Sequence, residues 1–140
     1  MKIEARLGNA RSRHSVEVST AGNARHVAIP PREGAPGSSV NGGELLRAAI
    51  ATCYCNDVYR EAAKRGIAVE RVAVEVFAEF GDVGEPARSI RYTATVAARA
   101  SDDAIRELML HTDRVAEVHN TLRLGMPVTF EPPRAEPVDR

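Results

Sequence analysis

The stretch Glu44-Leu-Leu-Arg-Ala-Ala-Ile-Ala-Thr-Cys-Tyr-Cys-Asn-Asp-Val-Tyr-Arg-Glu-Ala-Ala-Lys64 decides the fold of this chain. It predicts a helix, with Asn41-Gly42-Gly43 as the cap before it and Gly66 as the stop after it. From residue 45 to residue 54 almost every side chain is apolar or small, and Arg47 is the exception. A helix that is apolar on nearly all sides is normally buried on nearly all sides. We therefore expect this helix to be wrapped by a sheet, by a second helix or by another subunit.

The composition limits the protein to a few functional classes. The 140 residues fit one domain, 1–140, and a hydrophobic content of 44% is enough for an ordinary core. A formal net charge of zero, few aromatic residues and no Trp argue against nucleic acid as a partner. The first residues lack the apolar segment of a signal peptide, and no later run is long enough to span a membrane. We expect a soluble, cytoplasmic protein with no membrane partner.

The residues before the helix predict a small antiparallel sheet. Alternation of apolar and polar residues indicates strands at about 3–7, 14–19 and 25–29, with a turn at Ala21-Gly22-Asn23. Residues 30–40 are rich in Pro, Gly and Ser and predict a loop that leads directly into the helix.

The residues after the helix predict a hairpin and a second helix. Apolar residues alternate over 72–80 and again over 90–98, with a loop of Gly and Pro between the two runs. Ser101 then begins an amphipathic helix whose apolar face runs from Ile105 to His119. A last strand is predicted at 128–130, and residues 132–140 are predicted to be a flexible tail.

Cys53 and Cys55 are the only cysteines, and both lie in the apolar helix. In the cytoplasm a pair of cysteines is more often two free thiols than a structural disulfide. Residues two apart on a helix point about 200° away from each other, so these two cannot form a disulfide without unwinding the helix. The histidines are scattered and supply no second pair of ligands, so we predict no metal and no cofactor.

The residues Gly42-Gly43-Glu44-Leu45-Leu46-Arg47-Ala48-Ala49-Ile50-Ala51-Thr52-Cys53 resemble the helix motif, ending in a reactive cysteine, of the OsmC/Ohr family. This is the family of osmotically inducible protein C and the organic hydroperoxide resistance proteins. Residues 53–57 and 111–123 look like one branch of it. The resemblance covers essentially the whole chain. It implies an α+β fold in which antiparallel sheets wrap two central helices and two chains intertwine as a homodimer.

The resemblance also implies roles for individual residues. Cys53 takes the place of the cysteine that attacks a peroxide, but Arg114 takes the place of the second cysteine that resolves the product. Glu44 is a candidate for the family's catalytic carboxylate, shifted by one position in the motif. Arg13 is a candidate for its catalytic arginine, and Arg25 and Arg32 compete with it.

Three further residues are candidates for the pocket around the thiol. Asp57 lies one turn after Cys53, with the alternative that it belongs to a solvated helix end with local ion pairs. His119 falls on the apolar face of the second helix, either as a core histidine or as a pocket group. Cys55 is a weak resolving thiol for geometric reasons, and the alternative is that it packs against another part of the core.

From these observations we predict a thiol-dependent reduction of small hydroperoxides, of the organic kind, through Cys53 in a homodimer. Since the second cysteine is missing, an external thiol must serve as reductant. The alternatives are a stress-associated or small-molecule-binding dimer that has lost the peroxidase cycle, and an enzyme that uses Cys53 on another electrophile. Cys53 as an inert buried side chain is the structural alternative.

Overall fold

An antiparallel three-stranded sheet begins the chain in the computed structural model, which describes residues 1–10 and 13–138. A long helix, a two-stranded hairpin and two shorter helices follow it. The elements in chain order are β1 (Ile3–Ala10), β2 (Arg13–Thr20), β3 (Asn23–His26), α1 (Gly42–Lys64), β4 (Ala68–Phe80), β5 (Ala87–Arg99), α2 (Asp102–Val115) and α3 (Glu117–Arg123). The α+β fold class, the first three strands, the long helix and the β4–β5 hairpin are thereby confirmed.

The first sheet has the order β1-β2-β3. In its register Ala5 lies opposite Val18 and Leu7 lies opposite Val16, so one face of the β1–β2 pair is apolar. The turn between β2 and β3 places Ala21 and Gly22 at positive φ, as a tight reversal requires. The predicted loop at 30–40 is irregular apart from a single bridge between Pro31 and Ser38.

Both ends of α1 are fixed by local chemistry. The Glu44 backbone N–H donates to Asn41 Oδ1 at 2.9 Å, and the Asn41 N–H donates to Glu44 Oε2 at 2.8 Å, which forms a capping box. At the other end Gly66 has φ of 65°, the left-handed conformation that ends many helices, and the Ile67 N–H donates to Ala62 O at 3.0 Å.

The chain forms two compact units, and α1, β4 and β5 each contribute residues to both. The first unit comprises residues 1–49 and 76–91, and the second comprises residues 50–75 and 92–140. The second unit contains a hydrophobic core. Its buried residues Tyr54, Val58, Ala62, Val96 and Leu108 form one cluster, with apolar residues of β4, β5 and α2 packed around it.

The first unit has no such core. None of its described residues is buried, and large apolar side chains such as Ile3 and Leu7 are mostly exposed. Helix α1 likewise buries only one stripe, in which Ile50, Tyr54 and Val58 follow one another at intervals of four residues. One copy of the chain therefore does not bury α1 on all sides.

Two predictions about the C-terminal third are wrong. The second helix does not continue to residue 119, because the backbone at Ala116 is extended and α3 begins anew at Glu117. The predicted strand at 128–130 does not form, and the described residues from 126 to 138 contain no regular element. Val128 and Phe130 are almost fully exposed, and they gain no ladder hydrogen bonds. Residues 139 and 140 of the predicted tail lie outside the described part.

Within residues 1–10 and 13–138, no helix combines the length and the apolar character needed to cross a membrane.

Candidate functional site

Cys53 lies half-buried in the second unit, where α1 meets the start of α3. Its S–H donates to Asp57 Oδ2 at 3.5 Å, one turn further along α1. One sulfur or oxygen atom from each of Cys53, Asp57 and Glu117 lies within 4.8 Å of the others. The thiol therefore has two carboxyl groups as close neighbours, and one of them is buried.

This acidic setting opposes ionisation of the thiol. Burial raises the pKa of Cys53 most, and the nearby Asp57 and Glu117 raise it further. A backbone hydrogen bond from Val118, in the first turn of α3, lowers the pKa of Cys53. Among the described residues of the second unit, no cationic side chain forms a hydrogen bond with the Cys53 sulfur. The thiol, rather than the thiolate, is favoured at neutral pH.

Arg60 supplies the nearest cationic group to the carboxyl pair. Its Nη1 lies 2.8 Å from Asp57 Oδ1 and 3.2 Å from Glu117 Oε1. Burial raises the pKa of Asp57, although Arg60 lowers it in part and Glu117 raises it again. Glu117 has a lowered pKa, chiefly because its carboxylate accepts a backbone hydrogen bond and faces Arg60. Asp57 is therefore the more basic of the two carboxyl groups.

Glu61 joins this group from the next position on α1. Its carboxylate accepts hydrogen bonds from Arg60 Nε at 2.9 Å and Lys64 Nζ at 2.8 Å, and its other oxygen lies 3.1 Å from His111 Nε2. Glu61 and Asp57 are each only 4% exposed. Asp57 forms an i,i+3 ion pair with Arg60, but its burial shows that the alternative of a solvated helix end is wrong.

The Glu61 cluster predicts an acid-dependent loss of stability. Hydrogen bonds from Lys64 and Arg60 lower the pKa of Glu61 from 4.5 to about 2. Because the pKa in the folded state is below that of the unfolded chain, the stabilisation is present above pH 4.5 and is lost as the pH falls towards 2. We expect Glu61→Gln to be less stable than the wild type at neutral pH, with a difference that shrinks over this range.

Urea unfolding at several pH values measures this difference. Glu70→Gln is the matched control, since Glu70 pairs with Arg99 on the exposed surface, where an ion pair contributes little. A stability difference for Glu61→Gln that is the same at all pH values contradicts the prediction.

Cys55 faces a different part of the second unit. It is half-buried and lines an open pocket of about 290 Å³ together with Thr52, Asn56, Val72 and Val74. Both cysteines are free thiols. The two sulfur atoms therefore lie in separate surroundings, as the helical geometry predicts.

His119 is buried among aromatic rings. It is 5% exposed, its ring centroid is 4.9 Å from that of Tyr92 and 6.1 Å from that of Tyr54, and neither ring nitrogen has a hydrogen-bond partner among the described residues. Burial lowers its pKa, and Arg123 lowers it further. Of the two alternatives, these contacts favour the core histidine.

Two other sequence-predicted residues belong to the first unit, and Arg114 belongs to the second. The Glu44 carboxylate belongs to the capping box of α1 and, like Arg13 at the start of β2, it is exposed in the first unit. Their catalytic roles stay predictions. Arg114, at the position of the missing second cysteine, is exposed on α2, with Nη2 at 3.6 Å from Glu107 Oε1.

The sequence does not indicate Glu117 as a member of the site, and it leaves the position of His111 open. The i,i+3 spacing of Asp57 and Arg60 can be read from the sequence. Glu117 lies near Cys53 because the helix breaks at Ala116 and α3 begins in a new direction. Ala116 carries no side-chain capping group, so the break has no local signal.

Cys53, Asp57 and Glu117 are the described residues whose donor atoms could hold a metal ion, but the Arg60 guanidinium already compensates both carboxyl groups.

The model of the family described as OsmC-like protein matches residues 35–131. The chain belongs to the OsmC-like family. The match includes all of α1 and α3 and therefore every residue of the Cys53 site. No curated protein matches the chain.

Solved structures share the fold at low sequence identity. An OsmC-like protein from Mycoplasma pneumoniae is 18% identical, with a TM-score of 0.61 over 87% of this chain and 86% of that one. A protein from Psychrobacter arcticus described as a putative osmotic stress induced and detoxification response protein is 14% identical, with a TM-score of 0.62 over 84% and 85%. A protein from Legionella pneumophila described as an organic hydroperoxide resistance protein is 18% identical, with a TM-score of 0.52 over 88% and 90%. These likenesses establish a shared fold.

Proposed function

We propose that this OsmC-family protein reduces hydroperoxides, organic ones in particular, by attack of the Cys53 sulfur on the peroxide. The observation that carries the proposal is a half-buried thiol hydrogen-bonded to a buried carboxyl group, at the end of the family's helix motif. The description of the Legionella pneumophila neighbour as an organic hydroperoxide resistance protein supports the choice of substrate.

The surroundings of Cys53 offer groups for each part of this chemistry. Asp57 accepts the hydrogen bond of the thiol, and the Val118 backbone N–H stabilises charge on the sulfur. Attack on the terminal oxygen gives a Cys53 sulfenic acid and an alcohol. Because the sulfur is only partly exposed, a small hydroperoxide can reach it while bulk water is partly excluded.

The product must be reduced by a thiol from outside the chain. The sequence contains only Cys53 and Cys55, and the Cys55 side chain lines a separate pocket. A small dithiol or a partner protein would form a mixed disulfide with Cys53 and then release it.

Mass spectrometry with a sulfenate trap tests the proposal. After a short exposure to cumene hydroperoxide, t-butyl hydroperoxide or hydrogen peroxide, we expect the trap on Cys53 and not on Cys55. With a dithiol present, we expect continued consumption of the organic hydroperoxides. If none of the three peroxides is consumed and Cys53 stays unmodified, the proposal is wrong.

The acidic setting of Cys53 favours a second candidate, an OsmC-like protein that binds small molecules without a peroxidase cycle. A raised thiol pKa and a missing second cysteine are what such a protein would have. The same trap experiment separates the two, since this candidate leaves Cys53 reduced under all three peroxides.

We further propose that two copies of the chain form a homodimer. The first unit supports this, because the apolar face formed by Ala5, Leu7, Val16 and Val18 has no buried member. A sheet of this size needs a covered hydrophobic face to be stable. A second copy of the chain would cover this face and the exposed part of α1.

Light scattering coupled to size exclusion measures the number of chains, and we expect two. Leu7→Asp places a charge on the apolar face and should give a single chain or lower the dimer fraction strongly. Val83→Asp is the control, because Val83 is fully exposed in the β4–β5 loop and should leave the dimer intact. A wild-type protein with the mass of one chain at all concentrations contradicts the proposal.

A further inference from the structure

We propose that Asp57 is a catalytic residue that takes the proton from the Cys53 thiol and passes it to the oxygen that leaves the peroxide. This inference rests on the proposed function and adds a proton pathway to it. Among the described residues, Asp57 is the one that accepts a hydrogen bond from the reacting sulfur.

Among the described residues of the second unit, the side chain in hydrogen-bond contact with the Cys53 sulfur is a carboxyl group and not a cation. In the common arrangement a positive charge beside the cysteine creates a standing thiolate. Here the groups that face Cys53 are Asp57 from α1 and Glu117 with the Val118 N–H from α3, while Arg60 contacts the two carboxyl groups rather than the sulfur. In this setting the proton can leave the sulfur during the attack, by transfer to the carboxyl group already in contact with it.

Asp57 has the properties of such a base. Its side chain is buried, which raises its pKa and makes it a stronger proton acceptor than an exposed aspartate. The Arg60 contact at 2.8 Å involves Oδ1, which leaves Oδ2 directed to the sulfur. Glu117 and Arg60 are positioning residues, because they hold the Asp57 carboxyl group without contacting the reacting atoms through a hydrogen bond.

The Asp57 carboxylate accepts the S–H proton while a sulfur electron pair forms a bond to the terminal peroxide oxygen. The O–O bond breaks, and the leaving alkoxide accepts the proton from Asp57 to become an alcohol. The terminal oxygen keeps its own hydrogen, so Cys53 becomes a sulfenic acid. The sulfur is oxidised by two electrons and the peroxide is reduced by the same two, and Asp57 returns to the carboxylate.

Two reactions of the Cys53 thiol distinguish a role of Asp57 in proton transfer from an effect of its negative charge. Alkylation by iodoacetamide needs only the thiolate, since iodide leaves without a proton. Cleavage of the O–O bond also needs a proton for the departing oxygen. Asp57→Asn removes a negative charge next to Cys53, so alkylation should become faster at neutral pH, yet it also removes the proton carrier. We expect sulfenate formation with t-butyl hydroperoxide to fall by about 10²- to 10⁴-fold, the usual contribution of general acid–base catalysis.

The variants are made in a Cys55→Ser background, so that both rates report on Cys53. Glu117→Gln removes a neighbouring charge but keeps Asp57, and both of its rates should change in the same direction. Asp103→Asn, an equivalent change at an exposed position in the first turn of α2, should leave both rates as they are.

The inference is overturned if the two rates of Asp57→Asn rise together, which is a charge effect, or fall together, which is a structural effect. If the parent protein forms no sulfenate with any of the three peroxides, the proposed function itself fails and this inference fails with it. A parent that reacts with peroxide and an Asp57→Asn variant that reacts equally well would remove only the role of Asp57.

Discussion

Leu108→Ala is expected to lower the free energy of unfolding by about 2–5 kcal/mol, the range for removing a fully buried leucine. Leu108 is 0% exposed and is the largest fully buried side chain of the described residues. It packs from α2 against the cluster that includes Tyr54, Val58 and Val96. The loss has two parts, the transfer of the missing methyl groups and the cavity that the surrounding side chains fill only in part.

The same helix offers a matched control. Leu110 is two positions further along α2 and is 60% exposed, so Leu110→Ala should change the stability by no more than about 0.5 kcal/mol. Leu108→Met keeps most of the volume and should cost less than about 1.5 kcal/mol. Denaturant unfolding at one fixed protein concentration measures all three variants. Equal losses for Leu108→Ala and Leu110→Ala would show that α2 does not bury the face described above.

Cys53→Ser is expected to abolish dithiol-dependent peroxide consumption, down to the rate without protein. A serine hydroxyl at this position cannot form a sulfenic acid, and the other thiol of the chain, Cys55, lines a separate pocket. Because the change replaces one atom on a half-buried side chain, the fold should be unaffected. The readout is the loss of hydroperoxide over time, with circular dichroism to check the fold.

Cys55→Ser is the natural counterpart, since it makes the same substitution two residues away on the same helix. It should retain peroxide consumption, because Cys55 lies in another pocket and the reductant is external. If Cys55→Ser is the inactive variant, or if both are needed, then resolution takes place within the chain and α1 must unwind between the two cysteines.

Local signals were enough to predict most of the secondary structure. Asn41 with Glu44 and Gly66 mark the two ends of α1 because each acts on backbone groups a few residues away. The turn at residues 21–23 and the alternation of apolar residues indicate where the strands lie. These features depend on neighbours in sequence, so a single sequence contains them.

The features that failed depend on distant parts of the chain. A strand needs a partner for its hydrogen bonds, and the apolar run at 128–130 has none in the described residues despite its composition. Because Asp57 and Glu61 are charged, a hydrophobicity pattern predicts that both are exposed. They are buried because Arg60 neutralises both, and because Lys64 and His111 also contact Glu61. The helix break at Ala116, which brings Glu117 to the thiol, is likewise a product of packing.

In the proposed homodimer, the lack of a core in the first unit would make the order of β1–β3 depend on the protein concentration. A sheet that is covered only by a second copy gains its stability from association, so mass action governs how often it opens. The second unit has a buried cluster around Leu108 within one chain, so we expect its stability to depend less on association. In a cell that makes little of this protein, the half of the chain without a core would be the part that proteases reach first.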